Sequence, residues 1–193
     1  MTRWPYRALI YLFCLQAVTL AIAAPHPSKQ DASWKTYSNK DLGYCISYPA
    51  RWVRGEAFDG AGMYFESGVK KFSKPLGEMD IGPLSGSRPD AASSPVEYVQ
   101  VHLDGLRKFE RAQQLEVLEQ RNIDLLGMTG FFTKDRYFDP QDRATWVDEI
   151  VLAKHGDTLF RLELACRADQ LDRFEPVFTR FVASFQFECN RRR

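Results

Sequence analysis

The sequence predicts an α/β fold of the α+β type, in which helices pack on an antiparallel β-sheet. Its second half contains successive strand-like segments joined by short turns, and short links are typical of antiparallel neighbours. Two other segments repeat apolar residues at spacings of three and four, as helices with one buried face do. The chain of 193 residues suits one domain, and a domain of this size needs no metal ion to hold its core.

The first 23 residues have the layout of a secretory signal peptide. Arg3 and Arg7 supply positive charge, residues 9–15 form an apolar run, and Ala21 and Ala23 provide the small residues of a cleavage site. The alternative is an uncleaved membrane anchor, but the apolar stretch has only 16 residues, which is short for crossing a bilayer. We therefore predict cleavage after Ala23, a periplasmic or secreted protein, and no stable membrane span after cleavage.

The rest of the chain divides into a flexible lead-in (24–33), a single domain (34–189) and a basic tail (190–193). The full sequence has 26 basic and 25 acidic side chains and a net charge of +1, and removal of the two leader arginines leaves −1. This near-neutral balance provides no electrostatic footprint for nucleic acid, so no nucleic-acid partner is expected.

The domain begins with a turn at 38–43 and a strand at 44–48, where apolar and polar residues alternate. Pro49 ends this strand because proline cannot donate to the sheet. A glycine-rich loop follows and leads into a short apolar run at 63–65. The region from 68 to 94 is rich in turn-forming residues, and one strand is predicted near 79–81.

A capped helix is predicted next. Ser94 and Glu97 form a capping box around Pro95, which suits the first helical position. Apolar residues then fall on one helical face, and the helix is expected to end near residue 112. These residues are Val99, Leu103 and Leu106.

Four strands follow, at 115–127, 129–139, 144–154 and 157–166, and the first of them has an irregular pattern in its middle. The last predicted element is a phenylalanine-rich helix at 174–184, which we expect to dock on the sheet. Pro176 should lie in the first turn of this helix, because proline farther inside a helix costs about 3 kcal/mol.

This order of elements, together with the segments "GYCISYPARW", "SPVEYV" and "FEPVFTRFVASF", resembles the PsbP-like superfamily. The resemblance covers residues 34–187. It implies an antiparallel sheet with helices on both faces, in the α/β/α arrangement of that family. It also implies a binding or assembly role, since members of the family are generally not enzymes.

Three cysteines remain after removal of the leader: Cys45, Cys166 and Cys189. An exported protein with three thiols can form one bridge and leave one thiol free. The final helix should carry the chain away from Cys166, which favours a Cys45–Cys189 disulfide. The alternatives are a buried thiol at Cys45 or, less in keeping with its place inside a strand, a nucleophile activated by a histidine brought near by the fold.

Aromatic and thioether side chains near the glycine-rich loop form a candidate partner-binding surface. They are Trp52, Met63, Tyr64 and Phe65. The alternative is that Trp52 and Phe65 fill the core beneath this loop, because large aromatic residues are mostly interior.

The sequence contains no recognisable catalytic motif. His102 and His155 lie too far apart in the chain to indicate a metal site, so no metal or other cofactor is predicted. Asp148 and Glu149 face opposite sides of one strand, and they are predicted to lie on a solvated hairpin.

The chain is therefore expected to be a non-catalytic accessory protein of the cell envelope that binds a protein or a small ligand. One alternative is an inhibitor or immunity protein that blocks a secreted toxin or hydrolase. Another is an enzyme whose site is assembled only by the fold.

Overall fold

The structure, a computed structural model, describes residues 33–57, 60–67, 75–84, 92, 94–108, 111–125 and 127–189. The predicted signal peptide (1–23), nearly all of the lead-in (24–33) and the basic tail (190–193) lie outside these ranges. The helices are α1 (Pro95–Lys108) and α2 (Leu171–Ala183). The strands are β1 (Trp34–Asn39), β2 (Tyr44–Pro49), β3 (Val53–Ala57), β4 (Gly62–Glu66), β5 (Gly77–Pro83), β6 (Gln113–Leu125), β7 (Met128–Asp139), β8 (Ala144–His155), β9 (Thr158–Arg167) and β10 (Gln186–Phe187).

The larger sheet has seven strands in the order β3-β4-β5-β9-β8-β7-β6. Every neighbouring pair is antiparallel, which confirms the direction predicted from the short links. The glycine-rich segment after residue 52 is more regular than expected, because β3 and β4 form a hairpin that continues into β5. At the opposite edge, β6 contains two register shifts near Gln113–Glu116 and Val117–Glu119, in keeping with its predicted irregularity.

The strand that contains Cys45 belongs to a second, smaller sheet with the order β1-β2-β10. The sequence predicts a single sheet, and the structure adds this second one. The side chain of Asn39 accepts hydrogen bonds from the backbone N–H groups of Asp41 and Leu42, and Gly43 has φ +68°. This turn folds β2 back onto β1, and the chain end then pairs with the other side of β2.

The central strands are buried on both faces, and successive side chains of β9 point to opposite faces of the sheet. Phe160 and Leu162 face the main core, which includes α2 and the small sheet. Leu159 faces the other way, into a second apolar cluster with Tyr98 of α1. One helix thus covers each face of the large sheet, which confirms the predicted α+β arrangement.

Helix α2 docks through the phenylalanine stripe that the sequence indicates. Phe174, Phe178 and Phe181 are buried in the main core. The predicted start of this helix was wrong, since α2 begins at Leu171 and continues directly from a 3₁₀ turn at Ala168–Gln170. Pro176 consequently lies inside the helix, where its ring nitrogen cannot donate to the preceding turn.

Helix α1 begins at the predicted cap, where the backbone N–H of Glu97 donates to the Ser94 hydroxyl over 3.2 Å. Its predicted apolar residues Val99, Leu103 and Leu106 are buried. The helix ends at Lys108, earlier than the sequence indicates. Within the described part of the chain, neither helix is long and apolar enough to span a membrane.

Candidate functional site

A cavity of about 650 Å³ opens between α1 and the large sheet; we call it the α1 pocket. Its size lies within the range typical of sites for small molecules. Its lining comes from Glu78, Asp80, Tyr98, Val101, His102, Asp104, Gly105, Leu106, Lys108, Tyr137, Asp148, Arg161, Glu163 and Ala165. A concave site with this many ionisable side chains is the main candidate for function in the described part of the chain.

The strand register explains why a space exists beneath the helix. Ala165 of β9 lies opposite Glu78 of β5 on one side and opposite Asp148 of β8 on the other. Asp148 in turn lies opposite Asp135 of β7. A small alanine in the middle of this row leaves room that a larger side chain would fill, and carboxyl groups flank it.

Arg161 is the best-anchored charge in the pocket. Its guanidinium donates two hydrogen bonds to the Asp80 carboxylate, donates to the Tyr98 hydroxyl over 3.0 Å and lies 3.0 Å from a Glu163 oxygen. Burial alone would lower the pKa of Arg161, but Asp80 and Glu163 raise it well above its ordinary value. Arg161 therefore stays charged and fixes the two carboxylates around it.

Acidic groups outnumber basic ones in the pocket. Five carboxyl groups face two permanent cations, Lys108 and Arg161. Burial and the neighbouring carboxylates Glu66 and Glu163 together raise the pKa of Glu78 to about 7, although Arg161 acts in the opposite direction. Burial also raises the pKa of Asp80 to about 7, although Arg161 acts in the opposite direction. An added positive charge would relieve this excess of negative charge.

A second ionic group lies at the β7–β8 side of the same face. The Nε2 atom of His102 is 3.2 Å from Oδ2 of Asp135 and 3.7 Å from Oδ2 of Asp148. Both aspartates are buried, and the histidine side chain is only 10% exposed. Burial would lower the pKa of His102, but the hydrogen bond to Asp135 and the charge of Glu163 raise it.

The sequence pattern did not reveal this group. Asp148 and Glu149 are 2% and 3% exposed, so the predicted solvated hairpin is wrong for both residues. They do face opposite sides, as expected, because Glu149 pairs with Lys134 at 2.6 Å while Asp148 approaches His102. One sequence feature could have indicated this group. Each of the two strands joined by the short turn at 140–143 contains an aspartate, and such strands are neighbours in the sheet.

The structure brings together the two cysteines of the predicted disulfide. Cys45 lies opposite Gln186 of β10, whose side-chain amide donates to the Cys45 sulfur over 3.2 Å. Burial and an interaction with the Cys189 thiol raise the pKa of Cys45 to about 11. The three cysteines in the described part of the chain are free thiols, and Cys166 is buried in the main core. The disulfide therefore remains a prediction.

The thiols of Cys45 and Cys166 are poorly suited to nucleophilic chemistry. Burial raises the pKa of Cys166 to about 12, with a further contribution from Glu149. A nucleophilic cysteine needs the opposite change, towards a stable thiolate. Both residues thus have the properties of core cysteines.

The candidate partner-binding residues do not form one exposed surface. Met63 and Phe65 are 7% and 0% exposed and belong to the main core. Trp52 is half-buried on the same face, with its ring edge-on to Phe174 at 5.8 Å. Tyr64 alternates to the opposite face of β4 and covers Gly55. The core position of Phe65 agrees with the packing alternative.

No family model and no curated protein matches the sequence. Solved structures do match the fold. The solution structure of cyanobacterial PsbP (CyanoP) from Synechocystis sp. PCC 6803 is 16% identical, with a TM-score of 0.58, over 85% of this chain and 98% of that one.

Two more distant matches have lower scores. A protein of unknown function from Pseudomonas aeruginosa, PA94, described as a putative regulator, is 12% identical with a TM-score of 0.48 over 78% of this chain and 94% of that one. LpqN of Mycobacterium tuberculosis, described as involved in cell envelope biogenesis, is 13% identical with a TM-score of 0.49 over 80% and 90%. The similarity to CyanoP establishes that this chain has the PsbP-like fold.

Proposed function

We propose that the protein is an exported, non-catalytic binding protein that takes a small organic cation in the α1 pocket. The observation that carries this proposal is the excess of carboxyl groups around a cavity large enough for a small molecule. The signal-peptide pattern of the first 23 residues supports the export part of this proposal. The raised pKa values of the two buried thiols support a non-catalytic role.

Two parts of the pocket would contribute differently to recognition. Arg161 holds Asp80 and Glu163 in place, so these residues form a rigid floor. Glu78 and Asp104 lie at the wall. Asp104 pairs with Arg107 of the same helix over 3.1 Å, and no described ion pair joins either acid to Arg161. A bound ammonium group would lower the electrostatic free energy of Glu78 by favouring its charged form.

Binding of organic cations to the purified mature protein tests this proposal. We expect a diamine, a polyamine or choline to bind in isothermal titration calorimetry, more weakly as the salt concentration rises. The double variant Glu78→Gln/Asp104→Asn should weaken binding at least tenfold, because two attractive charges are removed. The control Glu56→Gln removes a charge from an exposed position on β3 and should leave the affinity unchanged.

Two results would contradict the proposal. One is the absence of binding for all three cations, and the other is equal affinity in the wild type and the double variant. Preferential binding of an anion such as a dicarboxylate would assign the pocket to Arg161 and Lys108 instead.

A further inference from the structure

The carboxylates of Asp135 and Asp148 lie side by side in the interior, and this arrangement needs a compensating positive charge. The two residues are direct partners across the antiparallel β7–β8 pair, and they point to the same face of the sheet. They are 0% and 2% exposed. Like charges directly opposite each other destabilise a sheet, and buried carboxylates lose the solvation that would screen them.

His102 brings a nitrogen to the same point from the other side. It lies in the second turn of α1, and stacking of its ring against Tyr98 at a centroid distance of 5.9 Å fixes the orientation. One ligand atom from each of the three residues lies within 4.8 Å of the other two. The cluster therefore converges from three separate elements on one small volume.

One oxygen of the cluster lacks a hydrogen-bond partner among the described residues. Oδ1 of Asp135 is buried, and no described residue makes a hydrogen bond to it, whereas Oδ2 bonds to His102. A buried acceptor without a partner costs about 1–3 kcal/mol, and in a native structure it calls for an unseen water or ion.

We propose that His102, Asp135 and Asp148 bind a divalent transition-metal ion of the Zn²⁺ or Mn²⁺ class. One imidazole nitrogen and two carboxylates form a ligand set that suits these ions, whereas Ca²⁺ and Mg²⁺ prefer oxygen ligands alone. Bond lengths near 2.1 Å in tetrahedral geometry place ligand atoms about 3.4 Å apart. The observed separations of 3.2 and 3.7 Å from Nε2 lie on either side of that value.

A metal ion at this position would neutralise both carboxylates and could coordinate the unpartnered oxygen of Asp135. His102 and Asp148 also line the α1 pocket, so the ion would be reachable from solvent. The competing arrangement is a protonated His102 that bridges the two carboxylates without a metal. The metal site and the histidine bridge differ in stoichiometry, because only the metal site binds one metal ion for each chain.

The metal site goes beyond the proposed function and does not require it. Its ligands lie on the β7–β8 side of the face, whereas Glu78, Asp80, Arg161 and Glu163 lie on the β5–β9 side. Binding of organic cations is measured on chelator-treated protein, and binding of metal ions is measured in the absence of an organic ligand. Either proposal can therefore fail without the other.

The test uses the mature protein after removal of metals with a chelator, in the background Cys45→Ser/Cys189→Ser so that these two neighbouring thiols cannot bind zinc. Calorimetry with ZnCl₂ and electron paramagnetic resonance with MnCl₂ should each show one bound ion, and MgCl₂ should bind much more weakly. Asp135→Asn and His102→Gln should each lower the zinc affinity at least tenfold. The control Glu56→Gln removes an exposed carboxyl on β3, outside the α1 pocket, and should have no effect.

A ligand variant that fails to fold would not report on the site. A second measurement therefore uses the Cys45→Ser/Cys189→Ser protein, in which His102, Asp135 and Asp148 are all present. Co²⁺ bound by one nitrogen and carboxylate oxygens should give visible absorption bands, and Zn²⁺ should displace it one for one. Absence of binding in the millimolar range would refute the site and leave the histidine-bridged carboxylate pair. Zinc binding that persists unchanged in both ligand variants would refute it equally.

Discussion

Glu78 lies on the side of β5 that faces α1, and its surroundings disfavour its charged form. Burial and the nearby carboxylates Glu66 and Glu163 raise its pKa from 4.5 to about 7. The folded protein therefore binds a proton at Glu78 more tightly than the unfolded chain does. The contribution of this group to stability is complete below pH 4.5 and is lost as the pH rises to about 7 and beyond.

We predict that Glu78→Gln removes this loss. On going from pH 5 to pH 8, the free energy of unfolding of the variant should rise by about 1–2 kcal/mol relative to the wild type, because glutamine stays neutral. Urea denaturation at the two pH values measures the difference. The control Glu56→Gln removes the same charge from an exposed site. An equal change in its free energy of unfolding would show that net charge, and not burial of Glu78, causes the pH dependence.

At the scale of the elements, two glycines have opposite roles. A Cβ atom on Gly77 would lie 2.8 Å from two ring carbons of Phe174, so α2 approaches β5 closely only because this residue has no side chain. Gly105 of α1 has no such constraint, because a Cβ atom there would meet nothing within 4 Å.

Alanine at these two positions should therefore change stability in opposite directions. Gly77→Ala should lower the free energy of unfolding by about 1–3 kcal/mol, because the buried Phe174 ring must move. Gly105→Ala should raise it by about 0.5–1 kcal/mol, because alanine restricts the unfolded chain and favours helix. Urea denaturation of both variants tests the pair, and a destabilised Gly105→Ala would show that α1 is more tightly packed than described.

The elements were predictable from sequence where the local pattern is strong. The Ser94 cap and the phenylalanine stripe of α2 mark both helices, and short turns mark the order of the later strands. The β3–β4 hairpin was missed because its glycines and charged residues obscure the alternation. The His102 cluster was missed because its residues come from three elements, and only the strand register makes Asp135 and Asp148 neighbours.

At the scale of the whole molecule, strand β10 completes the small sheet by pairing with β2. Gln186 of β10 lies opposite Cys45 of β2, and the backbone N–H of Glu188 donates to the carbonyl of Gly43 over 2.7 Å. Glu188 has φ +61°, so the chain turns at the residue before Cys189. This turn brings Cys189 to Cys45, although the two residues lie far apart in the sequence.

We predict that the protein carries a Cys45–Cys189 disulfide in an oxidising compartment and that Cys166 stays reduced. Each thiol loses one proton and one electron to a thiol-disulfide oxidoreductase of an oxidising compartment, and the sulfur atoms join. Closing so long a loop should stabilise the fold by about 3–5 kcal/mol.

The mass of the intact protein after alkylation under non-reducing conditions tests this. Alkylation of the unfolded protein should modify one cysteine. A mass that corresponds to a chain beginning at residue 24 would also establish cleavage of the leader. Cys45→Ser should leave two thiols to be alkylated, whereas Cys166→Ser should leave the bridge intact. Three alkylated cysteines in the wild type, or a bridge that includes Cys166, would contradict the prediction.

Strand β6 is a thirteen-residue edge of the large sheet, and most of its side chains are exposed. A regular edge of that length would offer an unpaired row of backbone groups to another molecule and so promote fibrils. The two register shifts interrupt this row and bend the strand, and Glu116 and Glu119 add charge beside them. The irregularity at this edge thereby disfavours self-association through strand addition.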